Sequence, residues 1–110
     1  FTVETSTAIA ARASRSNAAD NRLQVYPNPF NHRVQIRWSL PRATTVDLAV
    51  YNIRGRKIRH IMDGRYVGSG THTWAWQGRN DQGQPVATGI YFLRLQYGDQ
   101  QHWTRLVYLK

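Results

Sequence analysis

From Leu23 onward the chain is written in short runs of apolar–polar alternation, and this period of two is its strongest constraint on the fold. Val34, Ile36, Trp38 and Leu40 alternate with Arg33, Gln35, Arg37 and Ser39 until Pro41 ends the run. Side chains two apart in a strand share a face, so the run predicts a half-buried strand with arginines on its wet side. Val46, Leu48 and Val50 repeat the pattern against Thr45, Asp47 and Ala49. Arg54-Gly55 supplies a turn, and Ile58 to Met62 predicts a short return strand. His72, Trp74 and Trp76 alternate with Thr71, Thr73 and Ala75. Tyr91, Leu93, Leu95 and Tyr97 follow, closed by a Gly98-Asp99 hairpin turn. Trp103 to Leu109 makes the last strand.

With Leu23–Tyr26 these runs make about seven strands, each bounded by Gly, Pro, Asn or Asp, over roughly 90 residues. The expectation is all-β: an immunoglobulin-like or fibronectin-like sandwich. The whole chain has 110 residues, room for one domain and a tail. Composition changes near residue 21, so residues 21–110 read as the sandwich and residues 1–20 as an Ala-, Ser- and Thr-rich tail. Phe1, Val3, Thr5, Thr7 and Ile9 alternate with Thr2, Glu4, Ser6 and Ala8. The tail is therefore read either as a linker or as a docking strand with Phe1, Val3 and Ile9 as its buried knobs. A first residue of Phe rather than Met reads as an excerpt or a processed product. No stretch reaches the roughly 18 apolar residues of a membrane span.

The chain has no cysteine, which excludes disulfides, thiolate zinc sites and cysteine nucleophiles. His32, His60, His72 and His102 fall in separate elements, without metal-ligand spacing. Ser69 lies between glycines, with no strand–elbow–helix context to make it a nucleophile. Asp81 is the single carboxylate of the Gln77–Pro85 loop, too few for a calcium site. No enzyme activity, catalytic residue, metal or cofactor is expected. Fifteen Lys and Arg against six Asp and Glu give a net charge of +9. The arginines sit mostly in the polar phase of the strands, as a solvent coat. The dense run Arg54–His60 crosses a predicted hairpin, where cations protect strand edges. A nucleic-acid partner is disfavoured, because nothing interleaves these cations with exposed aromatics; an anionic glycan or lipopolysaccharide fits the charge better. Trp38 and Trp74 read as core and Trp76 as an end cap, with Trp103 unassigned; the alternative is a sugar-stacking platform.

Tyr26-Pro27-Asn28-Pro29-Phe30-Asn31 is the most distinctive string. Two prolines fix φ and remove two donors, so it predicts a stiff corner with Tyr26 and Phe30 plugging an end of the sandwich. This string, the strand ending Leu40-Pro41, and Val50-Tyr51-Asn52-Ile53-Arg54-Gly55-Arg56 together resemble C-terminal sorting domains of the type IX secretion system. Trp76-Gln77-Gly78-Arg79-Asn80-Asp81-Gln82-Gly83, Val86-Ala87-Thr88-Gly89-Ile90-Tyr91-Phe92 and Arg105-Leu106-Val107-Tyr108-Leu109-Lys110 continue the likeness. The related Ig-like domain of flagellar hook-capping proteins is similar over the same span. Asn31-His32 departs from a third proline common in the family, and Trp103-Thr104-Arg105 from a lysine-rich entry.

The resemblance implies a non-catalytic sorting and surface-anchoring module of an exported bacterial protein, recognised by secretion machinery at the outer membrane. It also implies removal by a cell-surface protease of sortase character and attachment of the cargo to anionic lipopolysaccharide. The expected docking residues are Pro27, Asn28, Pro29 and Phe30 of the corner with Arg105, Val107, Leu109 and Lys110 of the last strand, through backbone pairing at a sheet edge. The alternative is an extracellular filament subunit whose residues 1–9 dock as a strand on a neighbouring copy.

Overall fold

The computed structural model describes residues 23–110. The expectations for Phe1, Val3 and Ile9, and with them the filament reading, lie outside the described residues. Seven strands follow in order: β1 Leu23–Tyr26, β2 Val34–Leu40, β3 Thr44–Tyr51, β4 Lys57–Val67, β5 Gly70–Trp76, β6 Gly89–Tyr97 and β7 Gln100–Tyr108. They form two sheets, β1-β2-β5 and β4-β3-β6-β7. Every strand pairing is antiparallel. β4 pairs with β3 rather than β5, which gives the three-on-four arrangement of an immunoglobulin- or fibronectin-like sandwich.

The alternation decides which face each strand buries. Val34, Ile36, Trp38 and Leu40 of β2 are buried while Gln35 and Arg37 are exposed. Opposite them stand Val46, Leu48 and Val50 of β3, Leu93 and Leu95 of β6, and Leu106 of β7, all fully buried. Removing such an aliphatic side chain from water stabilises by about 1.5–3 kcal/mol, so this single core dominates the fold's energetics.

β4 is longer than the Ile58–Met62 strand expected from sequence. Val46 pairs with Arg65 but Leu48 pairs with Met62, so Asp63 and Gly64 together oppose Asp47. Asp63-Gly64 forms a bulge that carries the strand past Met62: Gly64 takes φ 64° and its N–H donates to Asp47 Oδ1 at 2.8 Å. The strand resumes and buries Val67. Trp74, expected in the core, is half-buried and packs against it from the edge strand.

The edge of β4 is sealed from within the domain. Asp81 reaches it from the β5–β6 connection: its N–H donates to the Ile58 carbonyl at 3.0 Å. Its carboxylate accepts the His60 N–H at 2.8 Å and meets His60 Nδ1 at 2.6 Å and Arg59 Nη1 at 3.4 Å. Burial raises the pKa of this carboxyl. The His60 backbone and ring bonds, the imidazole charge and the Arg59 bond outweigh it and hold the pKa below the ordinary 3.8. A carboxyl whose folded pKa is depressed contributes stability that is present above its unfolded pKa and lost as pH falls through the folded value. Below about pH 4 the native chain should therefore lose stability more steeply than Asp81→Asn. Urea midpoints taken from pH 7 down to pH 2 check this; parallel curves for the two proteins would refute it.

The proline corner and the closing strand

After β1 the chain enters Pro27-Asn28-Pro29, where two of three residues lack an N–H and both X-Pro bonds are cis. Asn28 is then the one residue of the three with a side chain able both to donate and to accept. Its amide is laid against β7: Nδ2 donates to the Arg105 carbonyl at 2.8 Å, and Oδ1 accepts the Val107 N–H at 2.9 Å. The amide thus imitates a peptide group of a neighbouring strand. The real backbone continues the ladder, with the Phe30 N–H donating to the Val107 carbonyl at 2.9 Å and the Phe30 carbonyl accepting the Leu109 N–H at 2.8 Å. Phe30 and Tyr108 form a parallel bridge. The corner that leaves one sheet therefore fastens the last strand of the other.

Apolar contact secures the same junction. Phe30 is 2% exposed, stacks on Tyr108 with ring centroids 4.8 Å apart, and meets Trp76 at 5.8 Å. Trp76 in turn meets Tyr91 edge-on at 5.6 Å. The polar ends of these rings are satisfied locally: Trp76 Nε1 donates to the Arg79 carbonyl at 2.8 Å, and the Tyr91 hydroxyl to the Ala87 carbonyl at 2.6 Å. Burial, with Tyr108 alongside, pushes the Tyr91 pKa above 10.0.

The structure brings Asn28, Phe30, Arg105, Val107 and Leu109 into one clamp. Pro27 and Pro29 are exposed beside it, and Lys110 lies past its end, with its N–H on Thr88 Oγ1 at 3.3 Å and Nζ over the Tyr108 ring. Two expectations change. Tyr26 plugs nothing, being 78% exposed, because the corner turns only Phe30 inward. Backbone pairing with a partner at Arg105–Leu109 is also closed off, since Asn28 and Phe30 already hold the outward groups of that edge. What this end offers a partner is side chains: Tyr26, Pro29, Arg105, Leu109 and Lys110 are exposed.

The sugar-stacking alternative fares no better, because Trp38, Trp76 and Trp103 are all at most 5% exposed. Trp103 turns out to lie in a separate cluster with Ala49, Tyr51 and Phe92. Among the described residues, no three His, Asp or Glu side chains gather as a metal-binding group, and no helix is long and apolar enough to cross a membrane.

Comparisons with known proteins agree with this architecture. No curated protein sequence matches the chain. Among solved structures, the chain is similar to dimeric latent PorU from Porphyromonas gingivalis, with a TM-score of 0.64 and 16% identity. That match covers 79% of this chain and 9% of PorU. PorZ of the same organism, an essential surface component of its type-IX secretion system, matches with a TM-score of 0.55 and 19% identity, over 89% of this chain and 12% of PorZ. FlgD from P. aeruginosa matches with a TM-score of 0.52 and 19% identity, over 79% of this chain and 67% of that one. The chain thus spans about a tenth of the length of the first two, and the likeness to all three is one of fold. The model of the secretion system C-terminal sorting domain matches residues 24–109, from β1 to just past the end of β7. With that match running through all seven strands but for the first residue of β1, the chain belongs to the family of type IX secretion system C-terminal sorting domains.

Proposed function

We propose that this domain is a non-catalytic address, read by secretion machinery, that delivers an exported protein to the cell surface. Its recognition surface is the clamped end, where Asn28 and Phe30 hold Arg105, Val107 and Leu109, with Pro27 and Pro29 exposed beside them and Lys110 just beyond. The observation that carries the reading is the family match over residues 24–109, which includes both halves of the clamp. The geometry supports it, because the clamp fixes the closing strand and leaves Leu109 48% exposed and Lys110 exposed at its end. A solvent-facing aliphatic held by backbone hydrogen bonds costs little entropy to dock.

The test is a fusion of the whole chain to a soluble passenger in a bacterium that has this secretion system. The passenger should reach the cell surface, and Leu109→Asp should cut surface delivery severalfold while leaving the unfolding midpoint of the isolated chain unchanged. Retention of the unmutated fusion in the periplasm would overturn the sorting role. Normal delivery with Leu109→Asp would overturn the place assigned to the clamp.

A further inference from the structure

The outer face of the four-stranded sheet carries an aromatic cluster that the sandwich core does not use. Alternation sends Val50, Leu93 and Leu106 inward, which leaves Tyr51, Phe92 and Trp103 on the opposite face. Register places them in two transverse rows. Lys57, Tyr51, Phe92 and Arg105 are successive partners across all four strands, and His60, Ala49, Arg94 and Trp103 make up the adjoining row, with His60 at its far end already engaged by Asp81. Partners along such a row lie about 5 Å apart, so the patch is roughly 15 Å wide.

Its rings are covered and its cations are not paired. Tyr51, Phe92 and Trp103 are 8%, 3% and 5% exposed. The Arg94 guanidinium sits 5.5 Å from the Tyr51 ring centroid and 5.9 Å from that of Trp103, and Lys57 Nζ sits 5.8 Å from Tyr51. A planar guanidinium held over two rings loses little further freedom when it binds a carboxylate. Among the described residues the ion pairs join Arg59 and His60 to Asp81, and none engages Lys57, Arg94 or Arg105. Asp47, two residues before Ala49 on the same face of β3, spends Oδ1 on the Gly64 N–H. Two donors in the patch, Trp103 Nε1 and Arg94 Nε, are shut off from water with no acceptor. Buried unpaired donors are costly, and these two lie beneath the Arg94 guanidinium's outer nitrogens, which stay open to an arriving oxyanion only at the half-exposed end of that side chain.

We infer that this face docks a carboxylate-rich segment of a partner protein, with Arg94 and Arg105 as its anchors. A second copy of this chain is a poor occupant, since it would bring the same cations face to face in a molecule of net charge +9. A neutral glycan would need open ring faces, and these rings are covered. The surface shares Arg105 with the clamp but is tested apart from the sorting reading, because binding is measured on the isolated chain.

Hexaglutamate titrated into the full-length, 15N-labelled chain tests the inference. The Trp103 indole signal and the amides of Phe92, Arg94 and Arg105 should shift, and affinity should fall as salt rises from about 50 to about 200 mM. Arg94→Gln and the exposed Arg105→Gln should each weaken binding about tenfold, while Arg37→Gln on the other sheet leaves it within about twofold. Shifts spread evenly over all arginines, equal weakening by Arg37→Gln, or no binding would overturn it. Capture of polyphosphate or a sulfated glycan at these residues without any response to hexaglutamate would overturn the assignment to a protein partner.

Discussion

Replacing Gly78 by alanine is expected to cost about 3 kcal/mol, whereas Gly83→Ala, five residues on in the same loop, should cost about 1 kcal/mol. Both glycines hold left-handed backbone, at φ 71° and 79°, so the conformational penalty on an added Cβ is nearly the same at the two sites. The gain from stiffening the unfolded chain is also the same, and it cancels in the comparison. What differs is space. A Cβ at Gly83 meets nothing within 4 Å, while at Gly78 it would lie 2.7 Å from Tyr108 Cζ and 2.9 Å from its hydroxyl oxygen. The ring cannot swing aside cheaply, because Tyr108 stacks on Phe30 and borders Trp76. Relief must come from the aromatic junction itself, at an overpacking cost of roughly 1–3 kcal/mol. Thermal midpoints should fall by roughly 12–24 °C for Gly78→Ala and by roughly 4–8 °C for Gly83→Ala. Equal losses would mean that Tyr108 moves freely and that the junction is looser than its geometry indicates.

The same junction shows what a sequence of this kind makes legible. Strand positions follow from alternation alone because burial on one face is a local property, readable within a run such as Val34–Leu40. Phe30 as an inward plug follows from the stiff Pro-Asn-Pro string. Which edge that string would fasten does not follow, since Asn28 bonds residues 77 and 79 positions away and nothing nearby marks the partner. The length of β4 past Met62 is hidden for a related reason, since the Asp63-Gly64 bulge is held by Asp47 on the neighbouring strand. Trp103, which the sequence leaves unassigned, faces outward on β7 and is buried among Tyr51 and Arg94 from two other strands. The docking residues are thus visible as types and strings, while their contacts are set by the fold.

Those contacts also explain how the larger sheet avoids sticking to others. Its two edge strands, β4 and β7, each have a side-chain amide or carboxylate laid on them as a false strand, Asp81 on one and Asn28 on the other. Where these bonds fall, at Ile58–His60 of β4 and Arg105–Leu109 beside β7, the edge is a poor template for an intruding chain.

The corner is held by two forces of different size, and separating them is the second large prediction. Phe30→Ala should cost about 4 kcal/mol, in the range for deleting a buried aromatic, because it empties the space beside Tyr108 and Trp76. Asn28→Ala removes two hydrogen bonds, but at an exposed edge where water can replace them, so about 1–2 kcal/mol is expected. Urea midpoints with unchanged slopes give these values, and amide exchange shows where the loss falls. Asn28→Ala should speed exchange at Val107, whose N–H it had bound, and leave Leu109 protected by the Phe30 carbonyl. Phe30→Ala should release both, since without its ring the backbone bridge has nothing to hold it. Were Asn28→Ala to unprotect Leu109 as fully as Phe30→Ala does, the amide and not the ring would be the anchor. Delivery of a fused passenger then discriminates further. If export requires the closing strand to be presented as one surface with the corner, Phe30→Ala should abolish it, whereas Asn28→Ala, with the ring still seated, should only weaken it.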